Sequence, residues 1–185
     1  QLSHAQAPIA GRWTLIDDDS DNILREWQTV VRDKLHRDAR RAPSQSPMLQ
    51  AANPNQQINL PLFLASFKTT EISVEGDIVT VTQGGNDELK KRHSADTISR
   101  DVNLNPAATT ISLRDAARKP PTMIIGGWEK NTLVIETTTD DGLLIEERWH
   151  LGKDDDDGIL YRDVLLRSSI WGEHHFGQQL EKAGH

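Results

Sequence analysis

Between Thr122 and Ser168 the chain carries four apolar, β-branched segments, each cut off by a strong turn signal. Met123 to Trp128 runs into Glu129-Lys130-Asn131, and Thr132 to Thr138 into Asp140-Asp141-Gly142. Leu143 to Leu151 runs into Gly152-Lys153 and four aspartates, and Ile159 to Ser168 completes the set. Period-two alternation bounded by Gly, Asp and Asn builds successive antiparallel hairpins. Strands twist, so a run of hairpins curls, and its enclosed face becomes either a core or a pocket. The predicted fold is therefore all-β: an antiparallel up-and-down barrel or strongly curled sheet with one N-terminal amphipathic helix.

The rest of the chain fits around that sheet as one domain of 185 residues, long enough for a sizeable core. Residues 1–10 are expected to be a flexible N-terminus, and Gly11 to Ile16 a first short strand. Leu24, Trp27, Val31 and Leu35 recur at helical spacing and predict an amphipathic helix from Asn22 to Arg40. Ser20 or Asp21 is placed to cap it, and Arg37, Arg40 and Arg41 suit the negative end of its dipole. Residues 43–59, rich in Pro, Ser, Gln and Asn, read as a loop or linker. Residues 60–180 are then the main sheet region. Leu60 to Phe67 is ambiguous between a short helix and an edge strand. Ile72 to Gln83 is a hairpin turning at Gly76-Asp77, and Leu89 to Ile98 and Thr109 to Asp115 are weaker strands. The total is about nine strands, the count and spacing of a barrel or sandwich.

Charge and composition exclude several classes of function. The chain has 28 acidic against 21 basic residues, a net charge of −7. That balance opposes binding to nucleic acid, whose phosphates require Lys and Arg to displace counterions. No stretch approaches the roughly 20 apolar residues of a membrane-spanning helix. With no cysteine there is neither a disulfide framework nor a thiolate metal site. The small-x-small sequence Ala5-Gln6-Ala7 near the start, together with Gln1 in place of Met, leads us to expect an exported protein, periplasmic or secreted.

Gly11-Arg12-Trp13 on the first strand resembles the Gly-x-Trp opening of the lipocalin and calycin group. The resemblance implies a barrel whose first-strand Trp plugs one end beneath an Arg from the last strand, for which Arg167 is the candidate. The chain also resembles uncharacterised exported bacterial proteins that pair such a strand and an acid-capped helix with a later Gly-x-Trp…Leu-Val-Ile-Glu-Thr hairpin. Here that hairpin is Gly126, Trp128 and Leu133 to Thr137. This second resemblance implies a fold and no activity.

The candidate site follows from side-chain period. Leu143, Ile145, Glu147, Trp149 and Leu151 share one face of their strand, the enclosed one, with a carboxylate in its middle. A buried Glu147 must find a partner or shift its pKa upward and stay neutral. On the following strand Tyr161 and Arg162 lie on opposite faces, both apolar enough that the pattern alone does not choose between them. If Arg162 points inward it can pair with Glu147. The predicted ligand-lining set is Ile135, Thr137, Ile145, Glu147, Trp149, Tyr161 and Arg162.

Other constellations are weaker. His174 and His175 are adjacent, so on a strand they point to opposite faces and cannot easily chelate one ion. Asp17-x-Asp19-x-Asp21 lacks the Gly and the bidentate Glu of a calcium loop. No nucleophile, zinc-protease or phosphate-loop motif is present. We therefore expect no metal, no cofactor and no catalytic residue. The predicted function is a non-enzymatic exported module that binds a small apolar or amphipathic molecule inside the barrel. The alternatives are a structural or protein-interaction module with a filled interior, and an enzyme using dispersed polar residues of the same cavity.

Overall fold

The computed structural model describes residues 7–41, 60–93, 96–105, 123–152 and 158–184. Among the described residues nine strands form one antiparallel sheet: β1 (Gly11–Leu15), β2 (Thr69–Glu75), β3 (Ile78–Gly84), β4 (Ile98–Asn103), β5 (Met123–Glu129), β6 (Thr132–Thr138), β7 (Leu144–Leu151), β8 (Ile159–Ser168) and β9 (Gly172–Lys182). Their order is β4-β3-β2-β1-β9-β8-β7-β6-β5. Sequential neighbours pair except β4 and β5, and the first strand pairs with the last, Trp13 opposite Lys182 and Leu15 opposite Leu180. The up-and-down meander thereby becomes a nearly closed barrel, and among the described strands its seam lies between β4 and β5. That seam is tight. A Cβ on Gly126 of β5 would sit 2.3 Å from Val102 Cγ1 of β4, so only glycine permits the approach.

The hairpins form where turn chemistry allows. Gly76, between β2 and β3, adopts φ +60°, a conformation that costs glycine nothing. The four segments from Met123 to Ser168 are β5 to β8, as their alternation predicts. β9 was not foreseen as a strand; its Gly, Glu, Gln and paired His dilute the apolar period, although Phe176, Gln178 and Leu180 do alternate into the interior. Residues 89–93, expected in a strand, belong instead to a short helix α2 (Asp87–His93), and β4 starts only at Ile98. Asn86 overrides the weak strand signal by capping α2, its Oδ1 accepting from Leu89 N at 3.0 Å. The expected strand at Thr109 to Asp115 lies outside the described residues.

The chain divides into two compact units. One, Gln1–Asp21 with Phe67–His185, contains the whole sheet. The other, Asn22–Ser66, contains the helix α1 (Ile23–Arg41) and a 3-10 turn at Leu62–Leu64. Along α1, Ile23 and Trp27 are buried and Leu24, Val31 and Leu35 partly so. The cap of α1 is Asn22, whose Oδ1 accepts from Arg25 N at 3.2 Å, rather than Ser20 or Asp21. Those two residues are engaged with β9 instead. Ser20 Oγ accepts from Gln179 N, and Asp21 Oδ2 accepts from Gly177 N at 2.7 Å. No described helix is long and apolar enough to cross a membrane.

Candidate functional site

The barrel interior is layered. At one end Ile72, Val81, Val102, Ile135, Trp149, Leu160 and Leu180 meet Trp13 and Ile9 in an apolar floor. Trp13 is buried, as its position on the first strand predicts, and its Nε1 donates to Ile9 O at 2.9 Å, tying down the 3-10 turn Ala7–Ile9. The expected Arg167 over its ring is not there. Alternation along β8 turns Arg167 outward, where it pairs with Glu173. The guanidinium stacked on an indole is that of Arg162, 4.8 Å from the ring centroid of Trp149.

One inward position beyond the floor, seven strands each contribute a buried polar side chain among the described residues: Thr70, Gln83, Arg100, Thr137, Glu147, Arg162 and Gln178. This belt is unusual, because a dry barrel core would hold apolar residues there. Beyond it the face becomes apolar again at Ile145, Val164, Leu166 and Phe176.

Glu147 is the centre of the belt and is fully buried. Arg100 reaches it across the interior with both terminal nitrogens, Nη1 at 2.7 Å from Oε2 and Nη2 at 3.1 Å from Oε1. Arg162, from the neighbouring strand, donates to Oε1 through Nε at 3.0 Å and Nη2 at 2.6 Å. Arg162 Nη1 then donates to Gln178 Oε1 at 2.8 Å, and Gln178 Nε2 to Asp21 O at 3.2 Å. Burial by itself pushes the Glu147 carboxyl upward, but the two guanidiniums outweigh it and hold the group at about 2, from an ordinary 4.5. Of the two outcomes open to a buried Glu147, the structure realises pairing.

The sign of the pH effect follows. A carboxyl whose pKa is lower in the folded protein stabilises it above the unfolded value and loses that contribution as pH falls through the folded one. Stability should therefore decline between about pH 4.5 and about 2. The loss from this group is about 3 kcal/mol. Urea unfolding at a series of acidic pH values checks it; a midpoint flat across that window contradicts the pairing.

Six of the seven predicted lining residues, Ile135, Thr137, Ile145, Glu147, Trp149 and Arg162, are buried on the inward face. Tyr161 is not among them. Leu160, Arg162, Val164 and Leu166 are the inward set of β8, so Tyr161 faces out, where its ring stacks on His150 at 5.5 Å. Period two forbids both Tyr161 and Arg162 from lining the same space. These two rings border a cleft of about 550 Å³ with Pro8, Ile9, Lys130 and Asn131. Pattern reading missed Arg100, Gln83, Gln178 and Thr70. The signal for Arg100 was present in Ile98-x-Arg100-x-Val102, which places it on the same face as the buried Val102.

Among the described residues no group of three or more His, Asp or Glu could hold a metal ion. His174 contacts Trp171 O and His175 contacts Glu173, each by its own route.

No protein-family model matches the sequence, and no curated protein matches it. Solved structures do. The chain is similar to a point mutant of the fluorescent protein UnaG, with a TM-score of 0.51 and 15% identity over 96% of this chain and 97% of that one. This is a calycin-like barrel. The fatty acid transporter REP1-NXSQ is similar too, with a TM-score of 0.50 and 11% identity over 97% of this chain and 98% of the other. At such identities the likeness extends to the fold alone. The calycin-like architecture expected from Gly11-Arg12-Trp13 is thus found, although the Arg167 contact implied by the same motif is not.

Proposed function

We propose that the barrel binds a small apolar or amphipathic molecule in its interior, above the apolar floor. The observation that carries this reading is the set of unmatched polar atoms in the belt and in the adjoining floor. Among the described residues, Gln83 Oε1, Thr137 Oγ1 and Trp149 Nε1 are buried with no hydrogen-bond partner from the chain itself. Each unmade hydrogen bond of this kind costs about 1–3 kcal/mol, so a filled structural core has no reason to keep three of them in one compartment. A ligand whose polar group meets the belt would supply partners, and its apolar body would lie against Ile145, Val164, Leu166 and Phe176. That a transporter of fatty acids shares the fold is consistent with such use. The binding residues in this reading are Ile135, Thr137, Ile145, Glu147, Trp149 and Arg162.

A native-state mass spectrum of protein purified from its own source tests this directly. The expected result is a small-molecule adduct that is lost on denaturation. Protein stripped of the adduct should then take up the neutral fluorescent probe N-phenyl-1-naphthylamine in equimolar amount. A bare protein mass, together with no uptake of the probe, leaves the filled structural module as the better reading.

A further inference from the structure

We infer that the interior accepts a molecule whose polar head is neutral and can donate a hydrogen bond, an alcohol or primary amide on an apolar body, and that it discriminates against carboxylates. This rests on the ligand-binding reading above and specifies the chemistry of that same site.

The two inward arginines are the groups that an acid would be expected to seek, and both are already engaged. Arg100 gives both terminal nitrogens to Glu147, and Arg162 gives Nε and Nη2 to Glu147 and Nη1 to Gln178. Glu147 thus occupies, from within the chain, the position that a ligand carboxylate would take between them. The two guanidiniums beside Glu147 favour the approach of an anion to the belt. Drawing it in is not the same as seating it. To form charged hydrogen bonds the anion must displace Glu147, and a displaced carboxylate that is fully buried has nowhere to be solvated.

The unmatched atoms point the other way. Gln83 Oε1 is an acceptor and requires a donor from the ligand, while Trp149 Nε1–H is a donor and requires an acceptor. Thr137 Oγ1 can do either. All three residues are at most 2% exposed, and their strands turn them inward. In the register, Thr137 lies diagonal to Glu147 across the β6–β7 pair, and Gln83 diagonal to Arg100 across β3–β4. Thr137 and Gln83 therefore flank the ion cluster in its own layer, and Trp149 lies one inward position below it on β7. A hydroxyl or amide can donate to Gln83 Oε1 or Thr137 Oγ1 and can accept from Trp149 Nε1, and so suits either kind of site. An ionised carboxylate only accepts, and leaves Gln83 Oε1 unmatched. A site that hydrogen-bonds a ligand group selects strongly against analogues that cannot return the bond.

Calorimetric titration of the full chain, stripped of bound molecules, with decanol, decanamide and decanoate at near-neutral pH tests the inference on one apolar body with three heads. The alcohol and the amide should bind at least about ten-fold more tightly than the acid. Thr137→Val should weaken decanol binding several-fold without lowering the unfolding midpoint, because it removes a hydroxyl that has no partner in the free protein. A structural role for that hydroxyl would move the midpoint and leave the affinity alone, which overturns the assignment. Decanoate binding as tightly as decanol overturns the inference while sparing the ligand-binding reading. If none of the three binds, both fall together.

Discussion

Replacing Glu147 by leucine is expected to cost about 3–5 kcal/mol of folding stability, a large part of what a domain of this size has. The substitution removes the carboxylate that four guanidinium nitrogens contact and takes that counter-charge away from both Arg100 and Arg162 in the interior. Arg162 is the more exposed to this loss in energetic terms. It is only 1% accessible, so water cannot replace Glu147. Burial already pulls its pKa downward, the nearby charge of Arg100 adds to that, and only Glu147 opposes them. Urea unfolding of the variant measures the cost. A triple variant that also replaces Arg100 and Arg162 by methionine separates the two physical explanations. If the penalty comes from uncompensated charge, removing the charges should restore most of the lost stability. If it comes from lost packing around Glu147, the triple variant should be worse than the single one. A single variant within about 1 kcal/mol of the parent would mean that the cluster is solvated, and the low pKa of Glu147 would lose its explanation.

Trp13→Ala should be of similar size, about 3–5 kcal/mol, through a different mechanism. Trp13 is 2% exposed within the apolar floor beside Ile9 and Ile72, so truncation leaves a cavity that a closed sheet cannot readily collapse. The same change removes the hydrogen bond from Nε1 to Ile9 O, the side-chain tie on the turn before β1. Two readouts should move together: the unfolding midpoint, and faster hydrogen exchange at the amides of Ile9 and Ala10. Trp13→Phe keeps most of the volume and loses only the N–H, so it should release the turn at a smaller cost in global stability. Unchanged exchange in both variants would show that the turn is held by packing alone.

Much of the architecture was legible because strand formation is local. Side chains on a strand alternate with a period of two, and the segments from Met123 to Ser168 are long enough and well enough bounded to reveal that period. The inward placement of Ile135, Thr137, Ile145, Glu147 and Trp149 followed from the period alone. So did the helix that begins beside Asn22 and buries Trp27, because its 3.6-residue period is also a property of contiguous residues. Where the local signal was mixed, it failed for identifiable reasons. β8 is apolar on both faces, so its phase was undetermined until pairing with β7 and β9 turned Arg162 inward and Tyr161 out. At Asn86 a single side-chain cap outweighed a weak alternation and made α2 a helix.

What the sequence by itself determined was therefore which residues are strand or helix and, where one face is clearly apolar, which side chains are enclosed. Tertiary structure decided their partners. Arg100 and Glu147 are 47 residues apart and lie on strands that do not hydrogen-bond to each other. They meet only because β1 pairs with β9 and the meander wraps round until β4 faces β5 over Gly126. No periodicity encodes that meeting. It depends on closure of the barrel and on the register of every strand between, and the same closure collects seven polar side chains from seven strands into one belt.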